Sequence, residues 1–139
     1  MKYLLDTNVI SETQKSKCDN KVKSFLDALT WEEVYISAIT VGEICYGIEK
    51  LPAGKKKHEL SIWLYTEMPQ WFDGRIVVLD DEVLIEWGKL CARAGRTLPV
   101  ADSLIAAAAI VNHMFLVTRN TKDFEDIEGL NLINPWEFN

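Results

Sequence analysis

Five short apolar runs alternate along this chain with segments of helical spacing, and that alternation restricts the fold more than any other feature. Lys2 to Asp6, Val34 to Ser37, Arg75 to Leu79, Phe115 to Thr118 and Leu130 to Ile133 have the length and composition of buried strands. Between them the spacing predicts a short helix from about Thr7 and a second from Asp19 to Leu29. Val41, Ile44, Ile48 and Leu51 recur at helical period, and Pro52 with Gly54 closes that helix. A long helix is expected from Lys55 to Gln70. Leu84, Trp87, Cys91 and Ala94 mark another, stopped by Gly95, and Ala101 to Asn112 forms the next, with a helical turn from Thr121 to Ile127. Strands alternating with helices specify an α/β domain whose mostly parallel sheet is covered by helices on both faces through right-handed crossovers. The 139 residues, 48% of them hydrophobic, suit one domain spanning 1–139 with a sizeable core.

In open sheets of this kind ligands bind at the carboxyl ends of the strands, and four acids fall there. Asp6 closes the first strand. Glu43 is placed in the first turn of the helix after the second, Asp102 in the first turn of the Pro99 to Asn112 helix, and Asp123 just after the Phe115 to Thr118 strand. Each has a local alternative. Thr40-Val41-Gly42-Glu43 has capping-box spacing, Asn120-Thr121-Lys122-Asp123 repeats it with Asp, Asp6 or Thr7 suits an N-cap, and Asp102 suits a helix dipole. The convergence of all four on one sheet edge is what favours a site.

Carboxylates packed together repel, and a bound cation or protonation relieves them. Oxygen ligands with no His or Cys nearby suit Mg²⁺ or Mn²⁺, which activate water and neutralise charge on a phosphodiester. Hydrolysis of RNA or DNA is the reaction this chemistry implies. Asp6, Glu43 and Asp102 are then direct or water-mediated ligands, and Asp123 an outer or second-metal ligand. Thr7, Asn8, Thr118 and Asn120 would orient water and carboxylates around them. A haloacid-dehalogenase phosphatase is excluded because position 8 is Asn8 where that chemistry needs an Asp. A response-regulator receiver is excluded because Asp6 lacks an acidic neighbour and no Lys follows the last strand.

LLDTNVIS, SAITVGEICYGI, GRTLPVADSLIAAAA and VTRNTKDF resemble, in order and spacing, the four motif regions of PIN-domain nucleases, above all the VapC-like toxins of type II toxin–antitoxin pairs. The resemblance spans essentially the whole chain, including the closing LINPWE. It implies a five-stranded parallel sheet, a Mg²⁺ or Mn²⁺ site on Asp6, Glu43, Asp102 and Asp123, and endoribonuclease activity. It also implies a cognate antitoxin that blocks the site and tethers the pair to operator DNA, so that DNA is met only through the antitoxin. The alternative is a catalytically inactive PIN-like binding or scaffold module.

Net charge is −6, from 15 basic and 21 acidic residues, which lacks the basic footprint of many nucleic-acid binders. Carboxylates gathered around a cation are not a repulsive outer surface, and Arg96 and Arg119 are the candidate phosphate contacts. No apolar run is long enough for a membrane span, and no signal-peptide pattern opens the chain, so a cytoplasmic protein without a membrane partner is expected. Cys18, Cys45 and Cys91 are odd in number and scattered, which predicts free thiols. The four alanines Ala106 to Ala109 predict a helix packed closely on the sheet. Tyr46, Trp63, Tyr65, Trp71 and Phe72 exceed what one small core uses. They predict an antitoxin segment lying between the Val41 to Leu51 and Leu60 to Trp71 helices, and a homodimer is the expected assembly.

Overall fold

The computed structural model describes residues Met1–Asn139. Strands β1 (Tyr3–Leu5), β2 (Val34–Ser37), β3 (Ile76–Val77), β4 (Phe115–Val117) and β5 (Leu132–Ile133) form one sheet in the order β3-β2-β1-β4-β5. Every neighbouring pair is parallel. The order reverses direction at β1, which has β2 on one side and β4 on the other. The switch point of the sheet therefore lies at the carboxyl ends of β1 and β4, where Asp6 and Thr118 stand.

Successive residues of a strand face opposite sides of the sheet, and the two cores follow from that. Leu4 and Leu116 belong to a cluster with α6 (Asp81–Arg93) and α7 (Val100–Val111), which includes Val83, Leu90, Ile105 and Phe124. Leu5 and Val117 belong to the cluster on the other face, with α1 (Thr7–Thr13), α2 (Asn20–Asp27) and α3 (Ala38–Glu49). Ala106 to Ala109 are all fully buried, and their small side chains let α7 lie close between α6 and the sheet. Gly95 adopts φ +69° just past α6, the left-handed stop that a Cβ disfavours. Phe124 is 1% exposed and plugs the α6–α7 side of the core. Phe124→Ala is accordingly expected to cost about 3–5 kcal/mol in denaturant unfolding. Ala107→Leu, which adds bulk at a fully buried position between α6 and the sheet, is expected to cost about 1–3 kcal/mol.

Three local features depart from the sequence reading. The helix after β2 starts at Ala38, capped by Ser37, whose hydroxyl accepts the Ile39 amide at 3.2 Å. Thr40 is therefore fully buried within the helix instead of capping it, and Glu43 lies in the second turn and not the first. The expected long helix is two α-helical pieces, α4 (Lys55–Ile62) and α5 (Met68–Trp71), joined by a π-helical turn over Trp63–Glu67. In that turn the Met68 amide donates to the Trp63 carbonyl, five residues back. Pro69 accounts for it: proline lacks an N–H and its ring crowds the carbonyl four residues earlier, and a widened turn absorbs both. Finally, β3 and β5 are each two residues long, shorter than the apolar runs that carry them. The three cysteines are free, and no helix is long and apolar enough to cross a membrane.

Candidate active site

Asp6 leaves the end of β1 and is 5% exposed. Its Oδ1 accepts the Thr7 amide at 2.8 Å, which makes it the N-cap of α1, and its Oδ2 accepts the Thr118 hydroxyl from the end of β4, also at 2.8 Å. The capping expectation therefore holds, and the same carboxylate is also tied to the end of β4. Asn8 bridges the two strand ends: its Nδ2 donates to Thr118 Oγ1 at 3.3 Å and to Asp6 Oδ2 at 3.5 Å, and its Oδ1 accepts the Arg119 amide at 3.2 Å. Thr7 joins α1 to α3 by donating its hydroxyl to Glu43 Oε1 at 2.6 Å. The structure thus ties Asp6, Thr7, Asn8, Glu43 and Thr118 into one hydrogen-bonded network across residues far apart in sequence. Asn120 joins it by its backbone, its amide donating to Thr118 Oγ1 at 3.1 Å, and its side chain makes no cap.

Asp102 stands in the first turn of α7, half-buried. The turn is anchored by Ser103, whose hydroxyl donates to the Pro99 and Val100 carbonyls and accepts the indole N–H of Trp87 on α6 at 2.9 Å. Sequence reasoning passed over both anchors, because a Ser beside an Asp gives no signal that a Trp sixteen residues earlier holds it. Asp123 lies in a 3₁₀ turn over Thr121–Asp123 and is exposed.

The electrostatics show that these acids share one region. Burial raises the Asp6 carboxyl above its ordinary range against the lowering hydrogen bonds from Thr118 and Thr7, and Glu43 adds to the rise. Burial also raises Asp102, followed by the charges of Asp6, Glu43 and Asp123. The ion pairs of the protein join Lys15–Glu12, Lys55–Glu59, Lys57–Glu49, Arg93–Glu86 and Arg96–Asp126, and none includes any of the four site acids. As placed in this structure, no three of the four acids stand close enough together to hold a metal ion among them. Their donors are all oxygen and none of their carboxylates is ion-paired to a lysine or arginine, and both properties fit a hard divalent cation.

The sign of the pH dependence follows. The stability that Asp6 and Asp102 contribute is fully present below the unfolded value, 3.8 for each, and is lost as pH rises through the higher folded value. In chelator, Asp102→Asn is expected to melt at or above wild type at pH 7. The difference should shrink as both proteins are acidified, which paired thermal melts across pH would show. A gap that widens on acidification would contradict the assignment.

The two arginines are not free. Arg96 is held by Asp126 and by the Asp123 carbonyl, and Arg119 lies over the Trp136 ring at 4.9 Å from its centroid. The aromatic surplus also divides. An apolar groove of about 670 Å³ runs between α1–α2 and the π turn with α5, lined by Leu26, Leu29, Trp31, Trp63, Met68 and Trp71 among others. It flanks the Leu60 to Trp71 segment on the α1–α2 side. Tyr46 is 66% exposed and outside it, and Phe72 is buried. A second, more polar groove of about 1040 Å³ lies between that segment and α3, with Ile44, Ile48, Leu51, Leu60 and Trp63 in its lining. It shares Ile10, Gln14, Trp63 and Glu67 with the first and runs on to Thr7 and Glu43.

Together these features describe an α/β fold with acidic, oxygen-only side chains at the switch point of a parallel sheet. The chain belongs to the PIN domain family, which it matches over residues 3–130. VapC ribonuclease Y4jK of Sinorhizobium fredii is 39% identical over 137 residues, covering 96% of this chain and 97% of that protein. Toxin FitB of Neisseria gonorrhoeae is 38% identical over 136 residues, covering 96% and 97%. Among solved structures, FitAB bound to an IR36 DNA fragment contains a chain that superposes with a TM-score of 0.92 at 36% identity, covering 99% of this chain and 97% of that one.

Proposed function

We propose that this protein is a Mg²⁺- or Mn²⁺-dependent endoribonuclease toxin of a type II toxin–antitoxin pair. The observation that carries the reading is the network in which Asp6 is held by Thr7 and Thr118 while Glu43 is held by Thr7, with Asp102 near enough to feel the charges of Asp6 and Glu43. Relatives named as a VapC ribonuclease and a toxin support it.

Asp6, Glu43 and Asp102 would hold the ion, with Asp123 contributing from the rim. When bound, the ion supplies Lewis-acid stabilisation of a phosphodiester and a more acidic water. The protein's own part is orientation. Thr118 and the Thr7 amide fix both oxygens of Asp6, and the Thr7 hydroxyl takes Glu43 Oε1, so that Oε2 would be the oxygen left for ion or water. Asn8, which donates to Thr118 and accepts from Arg119, keeps the ends of β1 and β4 in register. Asn8→Ala is therefore expected to lower cleavage about 10–100-fold with the site acids intact, measured as initial rate at saturating Mg²⁺.

The apolar groove suits an amphipathic antitoxin segment, and its continuity with the polar groove leads such a segment toward Glu43. A basic antitoxin residue there would find carboxylates without a cationic partner, which accounts for inhibition by occupation of the site. Operator DNA is met through the antitoxin.

The test is incubation of the purified chain with RNA and DNA oligonucleotides of one sequence. Endonucleolytic cutting of RNA is expected. Binding of RNA without cleavage under any divalent metal would replace the enzyme by a binding module.

A further inference from the structure

Asp123 differs from the other three acids in how it is placed. Asp6 and Glu43 are held through their carboxylates, and Asp102 rides on the first turn of a buried helix. Asp123 is exposed and sits in a single 3₁₀ turn, so only the path of that turn sets where its carboxylate goes. The Asp123 amide donates to the Asn120 carbonyl at 3.0 Å, which closes the turn from one side. Arg96 closes it from the other. Its Nη2 donates to the Asp123 carbonyl at 2.9 Å, and the same guanidinium grips Asp126 in a fork, Nε to Oδ2 and Nη2 to Oδ1, both 2.9 Å.

Arg96 stands on the loop between α6 and α7, six residues before Asp102. One side chain therefore ties the loop that leads to Asp102 to the turn that carries Asp123, across 27 and 30 residues of sequence. An exposed ion pair adds little to stability. A planar fork with a further bond to a carbonyl, however, fixes geometry in a way that a point charge cannot.

We propose that Arg96 is a positioning residue, which with Asp126 holds Asp123 at the rim of the carboxylate cluster. The assignment rests on the metal-site reading above and replaces the phosphate contact that the sequence alone assigns to Arg96. Outer groups that orient metal ligands typically alter affinity by about 10–100-fold. The effect should appear in metal affinity, with the rate at saturating metal near wild type.

Calorimetric Mn²⁺ titration, alongside Mg²⁺ half-saturation of RNA cleavage, tests this on wild type, Arg96→Met, Asp126→Asn, the double variant and Arg96→Lys. Both single variants are expected to bind Mn²⁺ about 10-fold more weakly. The double variant should be no worse than either, because both changes break one device. Arg96→Lys should recover only part of the loss, and melting in chelator should stay close to wild type. Asp126→Asn separates the clamp from a phosphate contact. It removes a negative charge and frees Arg96, so a phosphate-binding Arg96 would give equal or tighter RNA binding with metal affinity unchanged, and that result overturns the clamp. Wild-type affinity in both single variants overturns it too. A wild-type protein that binds no Mn²⁺ defeats the metal reading itself, and the clamp with it.

Discussion

Asp6→Asn is expected to lower RNA cleavage by more than about 100-fold, beyond the usual effect of an outer-shell change, while the protein stays folded. Asn caps helices about as well as Asp, so the bond from the Thr7 amide survives. Thr118 can still pair with the amide, since a hydroxyl both donates and accepts. What disappears is one anionic ligand. In chelator the variant should melt at or slightly above wild type, because a charge that burial and Glu43 both disfavour is gone. With Mg²⁺ the order should reverse, since an ion bound to the native state stabilises it by mass action and the variant binds it less well. Cleavage at the wild-type rate would reduce Asp6 to a helix cap.

Trp71→Ala is expected to weaken antitoxin binding by at least about 2 kcal/mol, roughly 30-fold, with cleavage by the free protein unchanged. Trp71 is 53% exposed, and it meets Trp31, equally exposed, edge to face with ring centroids 4.3 Å apart. Two large rings standing in water at the mouth of an apolar groove gain most when a partner covers them. Tyr46→Ala is the control: Tyr46 lies outside the groove, and its loss should leave antitoxin affinity as it was. Titration of a co-purified antitoxin against both variants measures the contrast. Equal losses at the two positions would move the docking surface back between α3 and α4.

The apolar runs made the sheet legible because strands buried on both faces need continuous apolar residues, and Leu4 and Leu5 show why. One enters each core. The placement of Asp6 at the tip of β1 and of Asp102 in the first turn of α7 was legible because the carboxyl ends of the strands are where an α/β sheet exposes its loops to a common edge. The start of α3 was not. Ser37 and Thr40 are both good caps by type, and the choice falls to tertiary packing, which buries Thr40 and turns Glu43 toward Thr7. The π turn was hidden for a related reason: Pro69 can end a helix or distort it, and local spacing does not choose between them. The pairing of Arg96 was not legible, because an arginine in a loop beside an acid shows no partner locally. Its partner, Asp126, is one acid among many in TKDFEDIEG, and only the fold brings the two together. The aromatic surplus pointed to the Leu60 to Trp71 segment, which borders a groove on each side; the groove on the α1–α2 side was not legible because no local pattern reports where α1 and α2 pack.

The central claim is that the four carboxylates work through a divalent ion, and back-titration of metal tests it most directly. Protein stripped by chelator and dialysed is mixed with a labelled RNA, and initial cleavage rates are followed as Mg²⁺ or Mn²⁺ is returned. A saturable recovery from a near-zero baseline is predicted, reversed by fresh chelator and absent in Asp102→Asn at the same metal concentrations. Full-rate cleavage by the stripped protein in chelator would contradict it.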